Sequence, residues 1–88
     1  MASAVVLERG NMPEAFILIK TQPAREMDVY QVLQNHEMVV ETHALYGEFD
    51  LLSRVSAENQ KDLTKILMTE FRQISGVKET RTLIAVDY

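Results

Sequence analysis

The stretch Tyr46-Gly47-Glu48-Phe49-Asp50-Leu51-Leu52 decides how the chain folds. Val39 to Tyr46 is apolar and β-branched with interspersed polar residues, and Phe49 to Val55 is of the same kind. Only Gly47 and Glu48 separate them, so the two segments read as an antiparallel hairpin. Glycine at the first central position suits a type II′ turn, which needs φ > 0 there and matches the strand twist. Asp50 then opens the second strand, an unusual place for a charge. A carboxylate beside a tight turn either fastens N–H groups or binds something.

Outward toward the N-terminus, Pro23 suits the first turn of a helix from Ala24 to Asn35. Val29, Val32, Leu33 and His36 recur at i, i+3, i+4, i+7, the spacing of one helical face. Before it, Ala15 to Lys20 is a strand with no alternation, apolar on both faces. Residues 1–14 read as a leader or a short edge strand built on Ala4 to Leu7, with Pro13 excluding a central ladder. Toward the C-terminus, Ser56 or Asn59 caps a second helix whose stripe is Leu63, Ile66, Leu67, Phe71 and Ile74. Lys61, Lys65 and Gln73 fall outside that stripe. Gly76 ends the helix in the left-handed conformation, and Val77 to Val86 is the last strand.

The order β-α-β-β-α-β over residues 15–88 predicts one α+β domain of the ferredoxin-like kind: a four-stranded antiparallel sheet with two helices on one face. Right-handed crossovers are expected to put the first and last strands in the centre. Two helices cover one side only, yet Ala15, Ile17 and Ile19 oppose Phe16 and Leu18, Leu51 opposes Leu52, and Leu83 opposes Ile84. An apolar helix-free face predicts a homodimer formed through the sheets; a simply mixed face is the alternative.

Composition excludes several classes. The 88 residues contain no Cys, which rules out disulfides and thiolate metal sites and fits a cytoplasmic location. No apolar run approaches the roughly 18 residues of a membrane span. The net charge is −4 without a Lys/Arg cluster, against direct nucleic-acid binding. No Gly-rich phosphate loop, serine-nucleophile motif or zinc-protease motif is present, and His36 and His43 have no acid at metal-ligand spacing. We expect no enzyme, no catalytic residue, no metal and no cofactor.

The hairpin tip is the candidate binding site. A free amino acid carries an ammonium that wants a carboxylate and a carboxylate that wants N–H donors. Asp50 offers the first, and backbone exposed at Gly47 offers the second. Thr80 and Thr82 share one face of the last strand and present hydroxyls. The competing reading leaves Asp50 fastening the turn and the threonines as β-formers.

Met38 to Glu41, Tyr46 to Leu52, Ile74-Ser75-Gly76-Val77 and Thr80 to Ile84, in that order, resemble the effector domain of leucine-responsive regulatory protein/AsnC regulators, also called the RAM domain. The likeness runs from Ala15 to Val86, and Gly47 to Asp50 matches the family's G-[DE]-[YF]-D hairpin. It implies a ferredoxin-like domain that dimerises through its sheets and assembles further into rings. It also implies amino acids bound between dimers near the hairpin, with Tyr46, Gly47, Glu48, Phe49, Asp50, Thr80 and Thr82 as ligand-binding residues. Too few residues precede the first strand for the family's helix-turn-helix, so the expectation is a stand-alone, non-catalytic, amino-acid-binding module that joins full-length regulators. The family also commonly has a Gly or Pro turn where His36-Glu37 stands. The competing class is a small dimeric ferredoxin-like α+β barrel enzyme of the monooxygenase type.

Overall fold

The computed structural model describes residues 12–85, so an Ala4–Leu7 strand lies outside the described residues, as does the end of the last strand at Val86. Strand β1 is Glu14–Thr21, helix α1 Glu26–Gln34, β2 Val39–Ala44, β3 Leu51–Ser56, α2 Gln60–Lys65 and β4 Val77–Ile84. All pairings are antiparallel, and the order across the sheet is β2-β3-β1-β4. The expected ferredoxin-like arrangement is present, but the expected centre is not. The first and third strands are central, and β4 is an edge. A right-handed crossover that leaves room for a helix skips one strand position, so the hairpin partner β3, rather than β4, fills the gap beside β1.

Alternation sorts the side chains. Along β1 and β3 every odd-numbered residue is buried and every even one is partly exposed. Ala15, Ile17 and Ile19 pair in register with Val55, Ser53 and Leu51. Together with Val29 and Leu33 of α1 and Leu63, Ile66, Leu67 and Phe71 they form the core. Val32 is the exception to the α1 stripe. It is 46% exposed, because Val29 and Leu33 already span the face the sheet covers. At the core's polar point the Thr42 and Ser53 hydroxyls bond each other at 2.8 Å, both buried and both satisfied.

The helix ends show local chemistry. Asn59 caps α2 by accepting from Asp62 N at 2.8 Å. Past Lys65 the helix widens through Ile66–Glu70, with Phe71 N–H donating to Ile66 O, then tightens at Phe71–Gln73. Pro23 does not enter α1. Arg25 N donates to Gln22 O at 3.0 Å around Pro23-Ala24, and Ala24 has φ 65°. This is a turn with Pro in its favoured second place, and α1 starts only at Glu26. His36 pins the α1–β2 connection. Its Nδ1 accepts from Met38 N at 3.1 Å, which leaves Nε2 to donate to Glu70 at 2.9 Å.

Gly76 has φ 99°. A Cβ there would lie 2.9 Å from Val29 Cγ2 and 3.2 Å from Arg25 Cβ. Gly76→Ala is therefore expected to cost about 2–4 kcal/mol, combining a left-handed penalty with overpacking against a buried valine. Urea denaturation checks this. A loss below about 0.5 kcal/mol would mean that the turn relaxes freely.

Candidate functional site

The two-residue turn expected at Gly47-Glu48 is not formed. β2 ends at Ala44 and β3 begins at Leu51, leaving a longer loop closed by Leu45 N–H donating to Asp50 O at 2.8 Å. Asp50 also bonds to β1. Its N–H donates to Ile19 O at 2.9 Å, and its Oδ2 accepts from Thr21 N at 2.8 Å and Thr21 Oγ1 at 3.0 Å. Asp50 is thus tied to the end of β1, while its carbonyl still closes the hairpin with Leu45. Among the described residues only Oδ2 of this carboxylate has hydrogen-bond partners.

Phe49, beside it, is buried on the helix-free side. The Lys20 ammonium lies 5.7 Å from its ring centroid and the Arg81 guanidinium 5.4 Å. The loop therefore crosses the end of β1 to reach β4. Tyr46, Gly47 and Glu48 stand clear in solvent. Gly47 has φ 152° and no atom within 4 Å of where a Cβ would sit. The local result is two cations flanking a single apolar ring on the open side, with the Asp50 carboxylate turned to Thr21; among the described residues neither cation is ion-paired with Asp50.

Thr80 and Thr82 lie elsewhere. They pair across β1 with Ile19 and Ile17, whose side chains are buried under the helices. Register puts both threonines on the helix side, whereas Phe49 sits on the open side. Within one chain the sheet separates the two halves of the expected site. Residue chemistry alone missed Thr21, Lys20 and Arg81. The available signal was Thr21 ending an otherwise apolar strand whose register meets the hairpin.

The open face carries Phe16, Leu18, Leu52 and Leu83, with Leu83 51% exposed. It also carries an ion network. Arg54 reaches Glu14 at 2.8 Å and Glu41 at 3.2 Å, and His43 lies 3.7 Å from Glu41. The Arg54 guanidinium holds the Glu41 carboxyl below its ordinary range, while the carboxylates hold Arg54 above its own. The face is thus a central apolar ribbon with charged margins. Among the described residues no acid and histidine cluster fits a metal, and no helix is long and apolar enough to cross a membrane.

The Lrp/AsnC ligand binding domain model matches residues 14–87. An uncharacterized HTH-type transcriptional regulator of Pyrococcus abyssi is 36% identical over 76 residues, 83% of this chain and 51% of that protein. The crystal structure of FFRP-DM1 superposes with a TM-score of 0.82 at 33% identity, covering 85% of this chain and all of that one. Transcriptional regulator NMB0573 of Neisseria meningitidis, solved as a complex with L-Met, shares the fold alone. Its TM-score is 0.77 at 17% identity, over 99% of this chain and 56% of that one. The chain spans about half the length of the curated relatives it matches. Those relatives are named HTH-type transcriptional regulators, and the chain belongs to the Lrp/AsnC ligand-binding domain family.

Proposed function

We propose that this domain is a cytoplasmic regulatory module that binds a free amino acid at the Gly47–Asp50 hairpin and passes the signal on through self-association. The observation that carries the reading is that consecutive residues of the hairpin, Phe49 and Asp50, bring two cations and a carboxylate to one end of the sheet. The Asp50 oxygen without a hydrogen-bond partner among the described residues suits an ammonium, and Lys20 and Arg81, flanking Phe49, suit a carboxylate. An α-amino acid presents both charges one carbon apart. Thr80 and Thr82, on the other side of the sheet in the same chain, join the site from a neighbouring copy. The L-Met complex of the Neisseria relative supports an amino acid as the class of ligand.

The apolar ribbon of the open face supports a homodimer formed through the sheets, with ring assembly beyond it. Full-length family regulators are the downstream partners. Any effect on DNA runs through them, because a net charge of −4 without a basic patch gives no purchase on phosphates.

A thermal-shift screen of the full chain with the twenty amino acids tests the reading. Ligand at 100 times Kd adds about 2.7 kcal/mol, a readily measured rise in Tm. A flat response to all twenty at millimolar concentration would overturn it.

A further inference from the structure

We infer that the N-terminal arm of this chain docks on its own domain. Residues 5–9 fill a groove at the end of the sheet where β1 and β2 begin, with Arg9 between Glu37 and Glu58. The groove has a volume of about 410 Å³. Met38, Val40 and Ala57 give it apolar walls, and Glu37 and Glu58 bring two carboxylates to it. Neither carboxylate is ion-paired among the described residues. No residue of the hairpin loop or of the apolar ribbon lines it, so it is separate from both the amino-acid site and the sheet-face contact.

The chain itself leads into this groove. Met12, where the described residues begin, is one of its lining side chains. Pro13 O accepts from Ala57 N at 3.3 Å and from Ser56 Oγ at 3.4 Å, which ties the chain before β1 to the end of β3. A residue that precedes proline is kept out of the helical region, so Met12 leaves Pro13 extended. Eleven residues precede Met12. At about 3.3–3.6 Å per residue, Arg9 stays within roughly 11 Å of Met12, which keeps its guanidinium in the neighbourhood of both carboxylates.

Val5-Val6-Leu7-Glu8-Arg9 has the pattern such a groove requires. In an extended segment alternate side chains share one side. Val5, Leu7 and Arg9 therefore face one way, and Val6 and Glu8 the other. Two apolar side chains followed by a cation complement apolar walls that carry two carboxylates. Gly10-Asn11 supplies the turn between Arg9 and Met12. Val40 is 38% exposed and falls where the β2–β3 register shifts, so β3 gives it no partner. The arm takes Val40 out of water. It also shields the start of β2, an edge strand, and an uncovered edge is a template for pairing with another chain.

Disulfide trapping on the full chain is the first test, since the sequence has no Cys of its own to compete. Leu7→Cys paired with Val40→Cys should close within one chain under mild oxidation, because the bond forms only when the two Cβ atoms come within about 4.5 Å. Leu7→Cys paired with Lys78→Cys, on the opposite edge strand, should close about tenfold more slowly or less readily still. Equal rates for the two pairs would make the arm a free tether and overturn the proposal. Disulfides formed between chains rather than within them would overturn it as well. Arg9→Glu should slow the 7–40 closure about fivefold, the effect of turning one charge against two carboxylates, and adding Glu37→Lys and Glu58→Lys should restore it. No slowing, or no restoration, would overturn the charge pairing. Trypsin gives the second test, since it cuts after Arg9 only where the arm is free. Cleavage there should be about tenfold slower in the original chain than in a peptide of residues 4–14, and Glu37→Gln with Glu58→Gln should speed it. Equal cleavage of chain and peptide would overturn the docking.

Discussion

The Leu52→Glu variant is expected to lose the sheet-face dimer while keeping its fold. Leu52 sits on the open side of β3, facing Leu18 across β1 and His43 across β2. It is already partly exposed in the single chain, so the fold loses at most about 1 kcal/mol of apolar burial. In a face-to-face pair the introduced carboxylate would be taken out of water, and its two basic neighbours are already engaged: Arg54 by Glu14 and Glu41, and His43 by Glu41. An uncompensated buried charge costs roughly 3–5 kcal/mol, and a dimer holds two, so the dissociation constant should rise about 10⁴-fold or more. Sedimentation over a dilution series reads this face. Leu52→Glu should reach a 10.1 kDa monomer with native circular dichroism at concentrations where the original chain stays associated. A dimer of unchanged affinity in the variant would exclude the open face as the interface.

Asp50→Ala is expected to cost about 2–4 kcal/mol of stability even without ligand. Thr21 is buried, and its N–H and hydroxyl both give their hydrogen bonds to Asp50 Oδ2. Removing a charged acceptor strands two donors at the end of a central strand. Asp50→Asn retains an acceptor oxygen for Thr21, so its cost should stay near 1 kcal/mol. Urea denaturation of the two variants separates these outcomes. Equal and small losses would show that the Thr21 contact carries little, and that the loop is held by Phe49 and the backbone instead.

The two opening readings of Asp50, fastener and ligand group, therefore do not exclude one another. One carboxylate oxygen fastens β1, and the other has no hydrogen-bond partner among the described residues. Sequence showed that a charge at this place needs explaining, but not which strand it holds, because Thr21 is 29 residues away. The same limit explains the turn. Gly47 correctly marks a positive φ, yet the loop opens beyond the Leu45–Asp50 bond, where Phe49 packs with Lys20 and Arg81, a tertiary effect invisible to turn chemistry.

The strands were legible, but their buried side was not: β1 is apolar on both faces, and β3 buries Ser53 while leaving Leu52 partly exposed. The second helical stripe through Leu63, Ile66, Leu67 and Phe71 and the Asn59 cap follow directly from residue type. The strand order was less legible. An apolar β1 looks central, but β3 carries Ser53 and Arg54 and resembles an edge. Ser53 is tolerated at the centre only because Thr42 completes its hydrogen bond, and Arg54 because Glu14 and Glu41 flank it. Val32 was misplaced because i+3 spacing admits it to a stripe that Val29 and Leu33 already fill. The placement of Thr80 and Thr82 opposite Phe49 followed from register, which composition does not fix.

Calorimetric titration of the original chain and of Asp50→Asn, with the amino acid that passes the thermal-shift screen, tests the central claim most directly. The account predicts saturable binding by the original chain. It predicts a tenfold or greater loss of affinity for Asp50→Asn, the equivalent of a charge-assisted hydrogen bond of roughly 1.5–3 kcal/mol, with the unliganded melting temperature lowered only by the roughly 4–8 °C that about 1 kcal/mol implies. Unchanged affinity together with a lowered melting temperature would contradict it, leaving Asp50 as the fastener of Thr21 and nothing more.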